Sequence, residues 1–186
     1  MANKVLYGVS NLHIGEYTVA TNGTVTLGTA MKIPGTVNIT MESQTEENKF
    51  YADNVVYWSG YSDNGYSGEI ENALFPDNFK TQFLNYVQIA NGGIAQIKGA
   101  NNKKCYIMFQ SEGDESARRG IFYNVSLGAI TREFATTEDT VEPQTATLPF
   151  TVNGDAGTGI IKAVYNESSS VYSTMFTSPP VPSLTT

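Results

Sequence analysis

The 186-residue sequence predicts a mainly β fold with one short packed α-helix, and three observations predict it. Apolar side chains recur with period two in several runs, the alternation of a pleated strand. Threonine is abundant, at 21 residues against 11 Lys plus Arg, and β-branched side chains suit a pleated surface better than a helix. Gly, Asn and Asp clusters punctuate the chain at Asn22-Gly23, Asp63-Asn64-Gly65, Asn91-Gly92-Gly93, Gly99–Asn102 and Asn153-Gly154-Asp155, where turns are expected. The length and the 40% apolar content suit one domain with a substantial core.

In chain order, strands are predicted near Met31–Met41, Asn48–Trp58, Gly68–Leu74, Ile94–Ile97, Lys104–Gln110, Gly120–Leu127, Thr145–Val152 and Gly159–Tyr165. In Asn48–Trp58, Phe50, Ala52, Val56 and Trp58 fall on one face and Tyr51, Val55 and Tyr57 on the other. Two apolar faces imply a strand covered on both sides, by its own domain and by a neighbour. Asp63-Asn64-Gly65 is then expected to reverse a hairpin into Gly68–Leu74, placing Tyr61 and Tyr66 beside its turn. Phe75–Val87 has a helical period, with Phe79 and Phe83 at i, i+4; Pro76 and Asp77 suit its first turn. Cys105, Ile107 and Phe109 alternate with Tyr106 and Met108. Ala146, Leu148, Phe150 and Val152 share one side of their strand, where Pro149 predicts a sheet edge or a bulge. The chain divides into a β-domain, 1–167, and a Ser/Thr/Pro-rich C-terminal extension, 168–186. That extension is expected to be extended or mobile and to build no core.

Composition excludes several functions. A net charge of −7, with only Lys103-Lys104 and Arg118-Arg119 as basic pairs, is unsuited to binding nucleic acid through phosphate neutralisation. One cysteine, Cys105, permits no intrachain disulfide and reads as a small buried hydrophobe. No signal-peptide core and no apolar run near ~20 residues is visible, so neither secretion nor a membrane span is expected. With one histidine, His13, and one cysteine, a zinc site or a Cys–His nucleophile pair has no support. Glu69 and Glu71 share a strand face, a spacing ordinary for a solvated sheet; as a glycosidase pair they are a remote third reading. Glu112–Glu115 and Glu138-Asp139 lack the spacing of a calcium loop. No catalytic, metal or cofactor residues are therefore expected, and the chain reads as a protein without enzymatic activity.

The unusual stretch is Val56–Gly68, with Tyr57, Trp58, Tyr61 and Tyr66 among small polar residues. Clustered aromatics mark a contact surface. One reading is a carbohydrate-binding or adhesive β-sandwich using the aromatic loop 57–66. The other comes from an ordered series: Asn3–Asn11, Lys32-Ile-Pro-Gly-Thr-Val37, Phe50-Tyr-Ala-Asp-Asn-Val-Val-Tyr57, Asn64-Gly-Tyr-Ser-Gly68, Ala73-Leu-Phe-Pro-Asp-Asn-Phe79, Phe109–Asp114, Arg118–Asn124 and Glu142–Leu148. Together these resemble the phi13-type major tail proteins (tail tube proteins) of long-tailed phages of Gram-positive bacteria, from the N-terminus to about Val152.

The resemblance implies a β-sandwich or half-barrel of the tail tube type, with an extended hairpin loop and a C-terminal arm. It implies self-assembly into homo-hexameric rings stacked into a tube, and contact with tape measure and tail terminator proteins. DNA would pass through the bore without specific binding. The location would be the virion tail, after synthesis in the host bacterial cytoplasm. Trp58, Tyr61, Asp63, Asn64, Tyr66, Pro179 and Pro180 are the residues expected at subunit or ring contacts.

Overall fold

The computed structural model describes residues 8–99, 101–113, 117–134, 136 and 143–184. In chain order the elements are β1 (Val9–Val19), β2 (Val25–Leu27), β3 (Met31–Lys32), β4 (Thr36–Ala52), β5 (Val55–Asn72), α1 (Asp77–Phe83), β6 (Val87–Gln88), β7 (Ile94–Ala95), β8 (Lys104–Ser111), β9 (Arg119–Leu127), β10 (Thr131–Arg132), β11 (Ala146–Val152) and β12 (Lys162–Tyr165). Ten strands form one antiparallel sheet along the path β2-β1-β8-β9-β11-β5-β4, to which β3, β10 and β12 attach; β6 and β7 make a separate small hairpin. The fold is mainly β with one short helix, as expected. The expected helix ends at Phe83, and Val87 belongs to β6 instead.

Alternation builds two cores, one on each side of the central strands. Cys105 and Ile107 of β8 and Phe122 and Val125 of β9 enter a large cluster with Ile70, Leu148 and Phe150. Tyr106 and Met108 of β8 and Ile121 and Tyr123 of β9 enter a second cluster on the opposite face. The parity of β9 changes at Asn124, whose φ of 52° marks an irregularity. Phe79 and Phe83 close the larger core, with Phe75 and Phe79 stacked at 5.5 Å. Seven helical residues are too few to be stable alone; burying three phenylalanines at about 1.5–3 kcal/mol each holds α1 in place.

Four expectations need correction. First, β1 was not anticipated: Leu12, Ile14 and Tyr17 are buried on it, but a bulge between Ser10 and His13 breaks the alternation a reader would look for. Second, Pro149 lies on β11, an interior strand rather than an edge. Its carbonyl accepts from the Gly128 N–H at 2.7 Å, just where β9 has ended and β10 has not begun. A nitrogen facing that gap misses no ladder bond.

Third, Asn48–Trp58 is not one strand. The chain reverses at Asp53-Asn54, both at positive φ (50° and 63°), as a two-residue hairpin turn demands. The expected turn, Asp63-Asn64-Gly65, is a bulge inside β5: the register passes from Ser43↔Tyr66 to Thr45↔Asp63. Fourth, the C-terminal extension is not free of the core. Met175 is fully buried in the second cluster, and Phe176 packs against it.

The extension is held by specific contacts. The Arg119 guanidinium lies 3.9 Å from the ring centre of Tyr172 and 4.6 Å from that of Phe176, while donating to the Tyr172 carbonyl. Phe176 stacks on His13 at 4.5 Å, and Tyr123 Oη donates to the Pro180 carbonyl at 2.8 Å.

The loop before β12 is pinned through Asp155. This buried carboxylate accepts from Tyr17 Oη (2.8 Å), the Gly157 N–H (3.1 Å), and the N–H and hydroxyl of Thr158 (both 2.7 Å). Burial pushes its pKa up, but the Thr158, Tyr17 and Gly157 hydrogen bonds outweigh that and hold it below the ordinary value. A folded pKa below the unfolded one contributes stability that is present above the unfolded value and is lost as pH falls through the folded one. Asp155→Ala should therefore lower the thermal midpoint at neutral pH and flatten its decline below about pH 4. Melting curves of both proteins across acid pH check this; parallel acid limbs would contradict it.

Candidate assembly surface

β5 pairs with β11 only from Tyr66 to Asn72, and β4 stays paired with β5 up to the turn. Beyond the bulge, residues 45–63 therefore form a two-stranded arm that pairs with no third strand among the described residues. At ~3.3 Å per residue it extends roughly 30 Å. Phe50, Tyr51, Val55, Val56, Tyr57, Trp58 and Tyr61 are all exposed on it, Tyr57 and Tyr61 to 75% and 76%. Expected cover by its own domain is absent: both arm faces are open. An isolated hairpin is marginal in water, and an apolar patch of this kind marks a contact site.

Register decides which rings can act together. Phe50 pairs with Trp58 and Glu47 with Tyr61, without a shift between. Trp58 and Tyr61 are three residues apart on a regular strand, so they point to opposite faces. The Trp58 indole lies against Gly60, where a Cβ would stand 2.6 Å from the ring. Tyr66 sits beyond the bulge, half-buried, with Lys162 Nζ 4.9 Å from its ring centre. The three rings do not form one platform for a sugar. Asp63 and Asn64 lie in the bulge, where Asp63 Oδ1 accepts from the Gly65 N–H at 2.9 Å. Pro179 and Pro180 are half-buried, near the Tyr123 contact of their own subunit.

Trp58→Ala combined with Tyr61→Ala should leave the thermal midpoint within about 2 °C of the parent, since neither side chain packs on the body. Any self-association of the parent chain should be lost, as sedimentation velocity can read. A large drop in stability would show that the arm is held by its own subunit.

The body of the sheet has one apolar and one polar face. Toward the larger core point Ile39 and Met41 of β4, Ile70 of β5, and Leu148 and Phe150 of β11. The opposite face carries Thr40 and Glu42, Ser67, Glu69 and Glu71, and Thr147 and Thr151, aligned by the ladders β4–β5 and β5–β11. Part of it is an open depression where Thr40, Glu42, Ser67, Glu69 and Thr151 stand beside Leu127 and Pro149. Glu71 accepts from the Thr145 hydroxyl at 2.6 Å. Two carboxylates thus share a face, as expected, on a sheet surface and not in a cleft. Among the described residues, the outer edge of β4 pairs with no strand along its 17 residues, and β10 pairs only with β11. β4 and the short β10 are thus edges of the ten-stranded sheet, and such edges favour pairing with another chain.

The remaining chemical candidates separate. His13 pairs with Met108 on the second-core face, while Cys105 pairs with Glu16 and enters the larger core on the other. Burial pushes the Cys105 thiol up to about 12, which disfavours the nucleophilic thiolate. Burial also lowers the His13 pKa, reinforced by Lys32 and Arg119 and opposed by its bond to the Asn11 carbonyl. No group of three or more potential metal-ligating His, Cys, Asp or Glu side chains occurs among the described residues. Also among them, no helix is long and apolar enough to cross a membrane. Glu138-Asp139 and the Asp114-Glu115 end of the other acidic cluster lie outside the described residues.

A family model described as phage tail tube protein matches residues 2–158. No curated protein matches the sequence. Among solved structures, the tube-terminating cap of the anti-feeding prophage, determined by cryo-EM, is similar at 10% identity and a TM-score of 0.47, covering 87% of this chain and 93% of that one.

Proposed function

The chain belongs to the phage tail tube protein family, and on that premise we propose that it is the structural subunit of a tail tube, forming hexameric rings that stack into a conduit for DNA. The observation that carries this reading is the arm, residues 45–63, which a lone subunit leaves bare on both faces and both edges. A β protein with open edges needs partners, and copies of itself supply them. Within the ten-stranded sheet, the strand run β4-β5-β11-β10 alternates direction through an even number of strands. Under cyclic symmetry, the β4 edge of one copy therefore meets the β10 edge of the next antiparallel. Closing the ring this way turns one sheet face inward.

The polar face, with Glu42, Glu69 and Glu71 among hydroxyl side chains, suits a bore. Carboxylates repel the phosphates of passing DNA, where a lining of Lys and Arg would bind them. The apolar face is already occupied by the core. Trp58 and Tyr61, on opposite faces of the arm, serve as contacts between copies, and Asp63 and Asn64 shape its base. Pro179 and Pro180 contribute through the docked extension. In the tail the subunit would also meet tape measure and terminator proteins. It would work as part of the virion, without enzymatic chemistry, after synthesis in the host cytoplasm.

Negative-stain electron microscopy of the purified chain at rising concentration tests this. Rings and hollow tubes about 100 Å wide are expected from domains of this size around a bore. A chain that stays monomeric at every concentration, or that binds glycans as a monomer, overturns it.

A further inference from the structure

The tube reading sets the β4 edge of one copy against the β10 edge of the next, and each edge carries half of an apolar contact. The β10 half is a knob. Arg132 pairs with Ala146, a core residue, so it stands on the core side of the sheet. Phe134 follows two residues on, its ring centre 5.9 Å from the Arg132 guanidinium, and so keeps to that side. At 84% exposure it is the barest large apolar side chain among the described residues. The β4 half is a hole. An apolar cleft of about 330 Å³ opens between β4 and the start of β1, lined by Val9, Val37, Ile39, Met41, Phe109 and Phe122. Ile39, Met41, Phe109 and Phe122 all belong to the larger core or pack against it, so the cleft is that core's open mouth.

We propose that Phe134 of one copy inserts into this cleft of the adjacent copy in the same ring, closing the mouth of its larger core beside the β4–β10 strand pairing. This rests on the tube reading and names the side chains that seal each seam of the ring. A knob at one edge and a hole at the other make a head-to-tail contact, which a closed rotation satisfies in every copy at once.

Side, height, size and charge agree. Ile39 faces the larger core, as Phe134 does, and opposed residues of antiparallel strands share a face. Arg132, Ala146, Asn72 and Thr36 lie level across the four strands. Phe134 stands two residues past that level, away from the arm. Ile39 pairs with Ile70 and stands two residues past it toward the arm. Closing a barrel staggers its strands by about one residue each, hence by about four across the strands of one copy. A stagger of that size toward the arm sets Phe134 opposite Ile39. An apolar cavity of about 150 Å³ can hold benzene, so the cleft has room for a phenyl ring. Arg132 accompanies the knob, while Glu112 stands at the cleft, its N–H donating to the carbonyl of Gly8 in the lining at 3.1 Å. A cation beside the knob and a carboxylate beside the hole favour this pairing over knob on knob.

The test uses the full chain with Phe134 replaced by p-azidophenylalanine, which keeps the aromatic ring. After assembly and illumination, a ladder of linked subunits ending at the hexamer is expected, with linked peptides joining position 134 to the segment Val37–Met41. In parallel, Phe134→Ala should keep the parent's thermal midpoint, because the ring is bare in the lone subunit, while the yield of rings and tubes falls about tenfold or more. Arg132→Glu should weaken assembly in the same direction, and adding Glu112→Arg should restore it. Assembled rings with no link from position 134 to Val37–Met41, a ladder running past the hexamer into another ring, or undiminished assembly of Phe134→Ala would each overturn the docking alone. A parent chain that forms neither rings nor tubes overturns the tube reading, and the docking with it.

Discussion

Gly65→Ala is expected to destabilise the subunit by about 3 kcal/mol or more, one of the largest effects of a single added methyl group in this chain. Two penalties coincide there. The backbone sits at φ +84°, where a residue with a Cβ loses roughly 1–2 kcal/mol. The added Cβ would stand 2.1 Å from the Val152 carbonyl oxygen, which belongs to β11 and is held in its ladder to β9 and β5. The strand must shift to accommodate it, and this is where the arm leaves the sheet. Gly23→Ala is the control: its φ of +83° is nearly the same, but nothing lies within 4 Å. That variant should lose only the conformational part, about 1–2 kcal/mol. Urea titrations of both separate the terms, and tube formation by whatever Gly65→Ala remains folded should fail because the arm is re-aimed. Equal losses in the two variants would mean that β11 yields freely at the bulge.

The second large effect lies in the extension. Met175→Ala should cost about 2–4 kcal/mol, the range for truncating a fully buried side chain. Ending the chain after Tyr165 should do more. It uncovers the face formed by Tyr106, Met108, Ile121 and Tyr123, and it removes the rings that sandwich Arg119. Such a chain is expected to be insoluble or unfolded, as expression and circular dichroism would show. A truncated chain as stable as the parent would demonstrate that the second core is complete without residues 166–184. The family match ends at 158, so this wall of the core lies outside the segment that the family model covers.

Much of the body was legible from alternation. Cys105, Ile107 and Phe109 against Tyr106 and Met108 predicted a strand, and β8 is one; the fold buries both of its faces. Phe79 and Phe83, four apart after Pro76-Asp77, predicted the helix that seals the larger core. The extension was misread because its Ser and Thr outnumber the side chains that matter. Tyr172, Met175 and Phe176 are spaced to fall on one side of a turning chain, and three anchors suffice when the receiving face is preformed. The arm was found but read inside out: two apolar faces usually mean cover on both sides, and here both are exposed on the subunit.

Local chemistry determined by itself that this chain would be a β protein, where it could bend, and that one stretch would be crowded with aromatic rings. These depend on each residue's own side chain and its near neighbours. Two segments could each have reversed the chain, Asp53-Asn54 and Asp63-Asn64-Gly65. The tertiary structure chose the first as the turn and made the second a bulge, because β11 fixes the register of β5 from Tyr66 to Asn72. Likewise, only the folded sheet decided that Trp58 and Tyr61 face apart and that the tail lies on Arg119. Register and burial are set by contacts between residues distant in sequence, and no short window of the chain contains them.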